Sequence, residues 1–453
     1  MRCLRTVLVL GVGGVLVAVG CHAANRRLDA ERWHATLTWD AARTTLRGEL
    51  SAPAGRHFAF PRADDTSPFV FADASAAATE PIQTLRWSLD LREAVAKLDD
   101  ADLLAARGRG FVGALPSLLW LPDDAPDDAK FSLRVEAPAG QAFVCASGDD
   151  DGSWHGSLGD LRAGPACAFG DLAVRHLRIA GARVTVAEPE ARTATAATAL
   201  DAHVLECAAA VASYYGAFPV DRLLLLVLPA HGNTIANGSA RGYGGASIRL
   251  FVPRHLGAEQ FAQDWVLIHE MVHLAMPSLP PAHHWLEEGA ATYLEPHIQV
   301  QAGRVRAEDV WTAMLTEYEQ GLAAQGAGGL DDDASWGRTY YGGALFCLLA
   351  DLRIRERTNG VRSLRDALRA LPAAGANLRT ESSIEAVLAR ADAATGTTVL
   401  RELYEAMGRQ PMAVDLPTLW RELGVQIVDG RAVFDDTAPR ARLRSALLPA
   451  RAR

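Results

Sequence analysis

DWVLIHEMVHLAMPSLPPAHHWLEEGAATYLEP, residues 264–296, is the stretch that decides how this chain is interpreted. Apolar residues recur at helical spacing in its first half, which predicts a helix over residues 261–275 that ends before Pro277. On that helix His269 and His273 lie one turn apart on one face, so both imidazoles can bind a single ion. The pattern favours a metal centre, because an apolar helix would otherwise bury these polar side chains without a partner.

The residues around the two histidines divide into ligands and a base. Glu270 is rotated away from the ligand face, where it can take a proton from a metal-activated water. A catalytic zinc ion takes three protein ligands and keeps one open position. The third ligand is expected on a second helix, where Glu287 and Glu288 are adjacent and only one can face the ion. His283 and His284 are interpreted as exposed loop residues or contacts at the substrate edge.

HEMVH followed by WLEEGAATYLE resembles the motif pair of the gluzincin metallopeptidases, specifically the aminopeptidase N-like and glycyl aminopeptidase-like families. In those families the ligand glutamate directly precedes the glycine, which implies Glu288 as the third ligand of one Zn²⁺ ion. The resemblance also implies that Thr292 and Glu295 hold the ligating histidines in place. The fold it implies is α+β, with an N-terminal β-sandwich-like domain followed by a thermolysin-like, mostly helical zinc peptidase domain.

TYYGGALF, residues 339–346, resembles the segment that carries the oxyanion-stabilising tyrosine in these families. In that register Tyr340 is implied as the hydroxyl donor to the tetrahedral intermediate. Gly342 stands where the families have a lysine, and Tyr341 remains an alternative to Tyr340.

Two departures from these families concern the substrate. The segment between the motifs, Leu274 to Glu287, has fourteen residues, fewer than in the aminopeptidase N-like proteins, so the shape of the substrate pocket stays open. The glycine-rich strand expected beside the cleft, residues 242–251, contains no acid that could bind a free amine. The sequence therefore predicts a peptidase and leaves aminopeptidase against endopeptidase unresolved. The residues of this strand expected to line the substrate cleft are Gly244, Gly245 and Ala246.

Changes in the pattern of apolar and polar residues divide the sequence into domains. Residues 24–190 contain alternating apolar and polar runs separated by turn residues, which predicts a β-rich N-terminal domain. Residues 198–430 are mostly helical in pattern and carry all the motifs, and residues 431–453 are expected to form a C-terminal tail. In the β-rich part, Cys145 and Cys167 could form a disulfide in an oxidising compartment, and whether they are bridged is left open.

Residues 1–23 predict export. An uncharged apolar run, too short to span a bilayer comfortably, ends in small residues before Cys21, which resembles a bacterial lipobox. In that interpretation Cys21 is lipidated and anchors a periplasmic or membrane-anchored lipoprotein to the membrane. The alternative is ordinary cleavage after Ala23.

The sequence predicts zinc-dependent hydrolysis of peptide bonds in the cell envelope, with a peptide or protein as substrate. A net charge of −9 argues against a nucleic-acid partner, which requires concentrated basic surface. The rival hypothesis is a non-catalytic envelope protein that keeps the fold and binds a peptide or assembly partner. Hydrolysis of a non-peptide substrate by the same zinc site is a third hypothesis.

Overall fold

A computed structural model describes residues 31–40, 44–56, 72–74, 83–98, 100–149, 151–324 and 327–448. The described residues up to 106, together with 113–143 and 148–164, form one compact unit, and 107–112, 144–147 and the described residues from 165 onward form a second. The predicted signal segment, residues 1–23 with Cys21, lies outside the described residues. None of the described helices combines the length and the apolar composition that a membrane-spanning segment requires.

The strands and helices are numbered in chain order. The strands are β1 (Trp33–Asp40), β2 (Thr45–Ser51), β3 (Ala72–Ala74), β4 (Thr84–Asp90), β5 (Leu104–Arg107), β6 (Gly110–Ala114), β7 (Lys130–Glu136), β8 (Ala142–Cys145), β9 (Ser153–Ser157), β10 (Ala166–Gly170), β11 (Ala173–Ile179), β12 (Ala182–Glu188), β13 (Arg222–Ala230), β14 (Asn237–Arg241), β15 (Ser247–Pro253), β16 (Val425–Val428) and β17 (Arg431–Phe434). The helices are α1 (Leu91–Leu98), α2 (Leu158–Arg162), α3 (Ala194–Tyr215), α4 (Ala258–Phe261), α5 (Val266–His273), α6 (His284–Ala302), α7 (Ala307–Glu317), α8 (Gly343–Arg357), α9 (Leu364–Ala373), α10 (Ile384–Thr395), α11 (Val399–Leu403), α12 (Leu416–Leu423) and α13 (Ala441–Leu447).

The first unit is built on a six-stranded sheet in the order β3, β4, β2, β1, β7, β9. Its neighbouring strands are antiparallel except β1 and β7, which run parallel. Side chains along these strands alternate between buried and more exposed positions, as expected for a sheet with one face on a core. Leu37, Leu50 and Leu85 are fully buried on that face.

The second unit contains a five-stranded mixed sheet in the order β11, β12, β13, β15, β14. The continuous apolar run of β13 is buried between its parallel neighbours β12 and β15. At the sheet edge lies β14, antiparallel to β15. Strands β11 and β12, which the sequence pattern assigned to the N-terminal domain, pair into this sheet, and all described residues from 165 onward belong to the second unit.

The remainder of the second unit is helical, and its helices end where the sequence supplies caps. For example, α3 begins after Thr193, whose side chain accepts a hydrogen bond from Ala196 N–H, and ends at Gly216 in the left-handed region with φ +90°.

Residues 431–447 of the predicted tail are folded, as strand β17 paired with β16 and as helix α13. A β-rich first unit and a helix-rich second unit confirm the predicted α+β class.

Cys145 and Cys167 lie in β8 and β10, which are neighbours in a four-stranded sheet of order β5, β6, β10, β8. Neither takes part in a disulfide in the described structure, which answers the question that the sequence left open. Burial raises the pKa of the Cys167 thiol, which keeps it protonated.

Candidate metal centre

The histidine-bearing helix α5 is fixed at its start by a carboxylate. Asp264 accepts hydrogen bonds from the N–H groups of Val266 and Leu267 at 2.9 and 3.2 Å. Its Oδ2 also lies 2.8 Å from Nε2 of buried His203 on α3. Helix α5 begins at Val266, later than the residue 261 expected from periodicity, because residues 258–261 form the separate short helix α4. The Asp264–His203 contact was not predicted from the sequence.

Three side chains converge at the end of α5 and the start of α6. The imidazole Nε2 atoms of His269 and His273 lie 3.2 and 3.5 Å from the same carboxylate oxygen, Oε2 of Glu288. One ligand atom from each residue lies within 4.8 Å of the other two. Zinc bonds of about 2.0–2.1 Å at tetrahedral angles would separate neighbouring ligand atoms by about 3.3 Å. The observed spacings therefore fit one zinc ion.

The electrostatics of the trio suit a cation. Burial alone would raise the pKa of the Glu288 carboxyl, but the hydrogen bonds and charges of the two histidines lower it below its ordinary range. Burial lowers the pKa of His269, which favours the neutral, ligating imidazole. The pKa of His273 is raised because its attraction to Glu288 outweighs burial, so a bound metal ion would take the place of that proton.

Glu270 lies beside the trio without belonging to it. Its side chain is 7% exposed. Burial raises the pKa of this carboxyl to about 7, although nearby His273 and the backbone N–H of Ala240 act in the opposite direction. A side chain at Gly238 would place its Cβ 2.6 Å from Cγ of Glu270. Strand β14 therefore runs directly against the proposed base.

Tyr340 and Tyr341 have different surroundings. Tyr340 lines the cleft, its ring centroid lies 6.5 Å from that of His269, and it interacts electrostatically with Glu288. Burial, with the charges of Glu288 and Glu270, raises the pKa of Tyr340 to about 12, which keeps its hydroxyl protonated. Tyr341 instead contacts the ring of Tyr318 and interacts electrostatically with Glu317. The structure thus brings Tyr340 to the metal centre.

A close helix crossing sets the position of Tyr340. Residues 338–342 form a π-helical turn that continues into α8, a feature that recurs at functional sites. Where α6 and α8 cross, a Cβ on Gly289 would lie 2.2 Å from the carbonyl carbon of Gly343. Only glycine allows this approach, which brings the turn before α8 next to Glu288.

The second glutamate of the pair lines the cleft but does not belong to the metal trio. Glu287 accepts a hydrogen bond from Leu279 N–H at 3.1 Å and lies 3.0 Å from Nδ1 of His284. His284 also places Nε2 3.3 Å from Oε1 of Glu288, so it bridges the two glutamates at the cleft edge. His283 is not a free loop residue, because its Nδ1 lies 3.0 Å from Asp331.

The structure does not give Thr292 and Glu295 the supporting role implied by the resemblance. Glu295 is buried and accepts a hydrogen bond from Gln299, one turn further along α6. Within the described residues neither Glu295 nor Thr292 bonds to a ligating histidine. Glu295 follows Glu288 by two turns, on nearly the same face of α6 but about 10 Å further along its axis, where Asp264 and Arg304 are its charged neighbours.

The substrate cleft is formed by a different segment from the one predicted. A cavity of about 1160 Å³, part of it open to solvent, contains the metal trio, Glu270 and Tyr340. Its strand wall is Gly238–Tyr243, whereas Gly244, Gly245 and Ala246 lie outside the lining. The glycines turn the chain from β14 into β15, with φ +61° and +147°, and Ala246 is buried. The edge strand therefore precedes the glycine turn.

Comparisons with known proteins identify the fold. No protein-family model and no curated protein matches the sequence. The structure is similar to an aminopeptidase N family protein from Idiomarina loihiensis, with a TM-score of 0.64 and 14% identity over 87% of this chain and 78% of that one. It is also similar to an M1 zinc metallopeptidase from Deinococcus radiodurans, with a TM-score of 0.50 and 15% identity over 85% of this chain and 94% of that one. The likeness establishes a shared fold, and the chemistry of the site is argued from its own residues.

Proposed function

We propose that this protein is a zinc metallopeptidase. The observation that carries the proposal is the convergence of His269, His273 and Glu288 at tetrahedral ligand spacing, with Glu270 buried beside them. The shared fold with zinc metallopeptidases supports it.

The three ligands would hold one zinc ion, which supplies a Lewis acid that polarises the scissile carbonyl and acidifies the attacking water. Glu270 accepts the proton of that water and delivers it to the leaving nitrogen. Tyr340 donates its hydroxyl hydrogen to the oxygen on which negative charge develops. An extended peptide can follow the open edge of β14, which passes against Glu270.

The test combines metal analysis with cleavage of a peptide library containing free and N-blocked peptides. Glu270→Gln should retain zinc and lose activity, whereas Glu288→Gln should lose zinc. The matched control is Glu287→Gln, which should retain both, because Glu287 bonds to the loop and not to the metal trio. Wild-type cleavage rates in Glu270→Gln would disprove the mechanism, and bound zinc without any cleavage would favour the rival, a peptide-binding envelope protein.

We also propose that the protein is exported and anchored to the membrane through lipidated Cys21. This rests on the sequence of residues 1–23. Labelled fatty acid should enter the wild-type protein and not Cys21→Ser. Equal incorporation into both would refute the anchor.

A further inference from the structure

The exposed aromatic side chains of the protein are concentrated at the metal centre. Among the described residues, the exposed phenylalanine, tyrosine and tryptophan side chains are Tyr243, Trp265, Trp336 and Phe434. Phe434 is partly covered, because the guanidinium of Arg444 lies 4.7 Å from the centre of its ring. The other three side chains are 53%, 52% and 59% exposed, and each of them adjoins the site.

The two exposed tryptophans each precede a residue of the site by four positions. The ring centroid of Trp265 lies 5.6 Å from that of the zinc ligand His269. The ring centroid of Trp336 lies 5.5 Å from that of Tyr340, and the His269 and Tyr340 rings are themselves 6.5 Å apart. Four rings therefore form a continuous row, with a solvent-exposed indole at each end and the reacting groups between them.

A third chain segment adds Tyr243 to this arrangement. Tyr243 follows the end of strand β14 by two residues, and it lines the same cleft as Glu270 and Tyr340. Tyr243, Trp265 and Trp336 are called the aromatic rim below.

The exposure of the aromatic rim is unusual for this protein. Elsewhere the fold removes its indole rings from water, and the tryptophans that are at most 3% exposed are Trp33, Trp87, Trp154, Trp285 and Trp311. Single apolar side chains on a surface are ordinary, but large rings from three separate segments that gather at one cleft are typical of a binding site. Their place beside the zinc ligand and Tyr340 indicates that the bound substrate covers them.

We propose that the aromatic rim selects substrates with an aromatic or large aliphatic side chain beside the scissile bond, and this inference rests on the proposed peptidase function. A substrate whose scissile carbonyl lies at Tyr340 brings its neighbouring side chains to the row of rings that ends in the two indoles. An apolar side chain there removes its own surface and that of an indole from water together. An aromatic side chain gains edge-to-face or offset-stacked contact in addition.

The binding test uses the zinc-loaded Glu270→Gln protein, so that binding is measured without turnover. Calorimetry would compare N-acetylated tetrapeptides of alanine and glycine in which each position in turn carries Phe, Leu, Ala or Lys. We expect Phe and Leu at one position to bind about 10- to 100-fold more tightly than Ala. The position that shows the preference identifies the side chain that the aromatic rim contacts.

Substitutions in the same Glu270→Gln background assign the preference to the rim. Trp265→Ala and Trp336→Ala should each weaken it and should abolish it together, whereas Phe at both positions should retain part of it. The matched control is Phe434→Ala, which removes an exposed ring elsewhere and should leave the preference intact. Zinc content is measured in every variant. Trp336→Ala keeps the test decisive if Trp265→Ala loses zinc, because the described ring contacts of Trp336 are with Tyr340 and Tyr341 and not with a zinc ligand.

Three results would overturn the inference. They are a preference for Phe that persists without both indoles, equal binding of the Phe and Ala peptides, and tighter binding of Lys than of Phe, which would indicate a cation over the indole faces. Equal peptide binding together with rim-dependent binding to vesicles of phosphatidylethanolamine and phosphatidylglycerol would assign the rim to a membrane surface instead. If the preference is found while the native protein cleaves no peptide, the peptidase function fails and the aromatic rim stands as a binding site.

Discussion

Replacing buried Glu295 by glutamine should stabilise the protein, and by an amount that depends on pH. Burial, with the nearby charge of Asp264, raises the pKa of this carboxyl to about 8 from an ordinary 4.5, although its hydrogen bond from Gln299 opposes the shift. In the folded state the neutral acid is favoured, while the unfolded chain ionises above about pH 4.5. The contribution of Glu295 to stability is therefore complete below pH 4.5 and is lost as the pH rises towards 8.

The size of the effect follows from the same two values. Each pH unit between them costs the folded state roughly 1.4 kcal/mol relative to the unfolded chain. At pH 7 the free energy of unfolding of Glu295→Gln should exceed that of the wild type by about 3 kcal/mol. The difference should vanish near pH 4.5 and stop growing above pH 8. Glutamine keeps the length and one acceptor of glutamate, so Gln299 retains its partner.

Urea unfolding followed by tryptophan fluorescence at pH 5, 6, 7 and 8, with a fixed zinc concentration, measures this difference. The control is Glu308→Gln, an exposed glutamate on α7, which should change stability little at any of these pH values. Zinc affinity should stay unchanged in Glu295→Gln, because Glu295 does not bond to the ligating histidines. A pH-independent difference, or a loss of zinc affinity of tenfold or more, would refute the assignment of Glu295 to the helix interior.

Three further substitutions test the construction of the site. Tyr340→Phe should lower kcat about 100-fold or more at unchanged zinc content, whereas Tyr341→Phe should not; equal effects in steady-state kinetics would contradict the role of Tyr340. Gly289→Ala places a methyl group 2.2 Å from backbone of α8, so thermal unfolding should show a loss of about 1–3 kcal/mol, and near-wild-type stability would argue against the close crossing. Asp264→Ala removes the cap of α5 and the partner of His203 and should cost about 2–3 kcal/mol, and a cost under about 0.5 kcal/mol in urea unfolding would count against this support.

The chemistry-bearing residues were predictable because their geometry is local. Two histidines four apart on a helix face the same way wherever the helix lies. The choice of Glu288 over Glu287 came from the resemblance to the gluzincin motif, since spacing alone left both open. The supports of the site are not local. Asp264 meets His203, which precedes it by 61 residues, and no pattern at either position signals the pairing.

The position of the strand that lines the cleft was the other feature that the sequence did not predict. Residues 242–251 read as one glycine turn leading into one strand, and that strand, β15, is real. The edge strand before it has only five residues, none of them large and apolar, and four are half-buried. A short strand without alternation carries no periodic signal, so the cleft wall was placed on the turn and not on β14.

The shortened segment between the two motifs explains why substrate preference could not be inferred from the motifs alone. This segment is tied to a distant one, since Ser278 N–H donates to Thr380 at 2.8 Å and Leu378 N–H donates to Leu274 at 3.3 Å. The same Leu378 abuts Gly242, the residue after Arg241. This loop, which departs most from the families that the motifs resemble, is thus connected through Leu378 to the end of strand β14. Because these three segments meet only in the folded chain, the shape of the cleft has to be taken from the structure and not from the length of the loop.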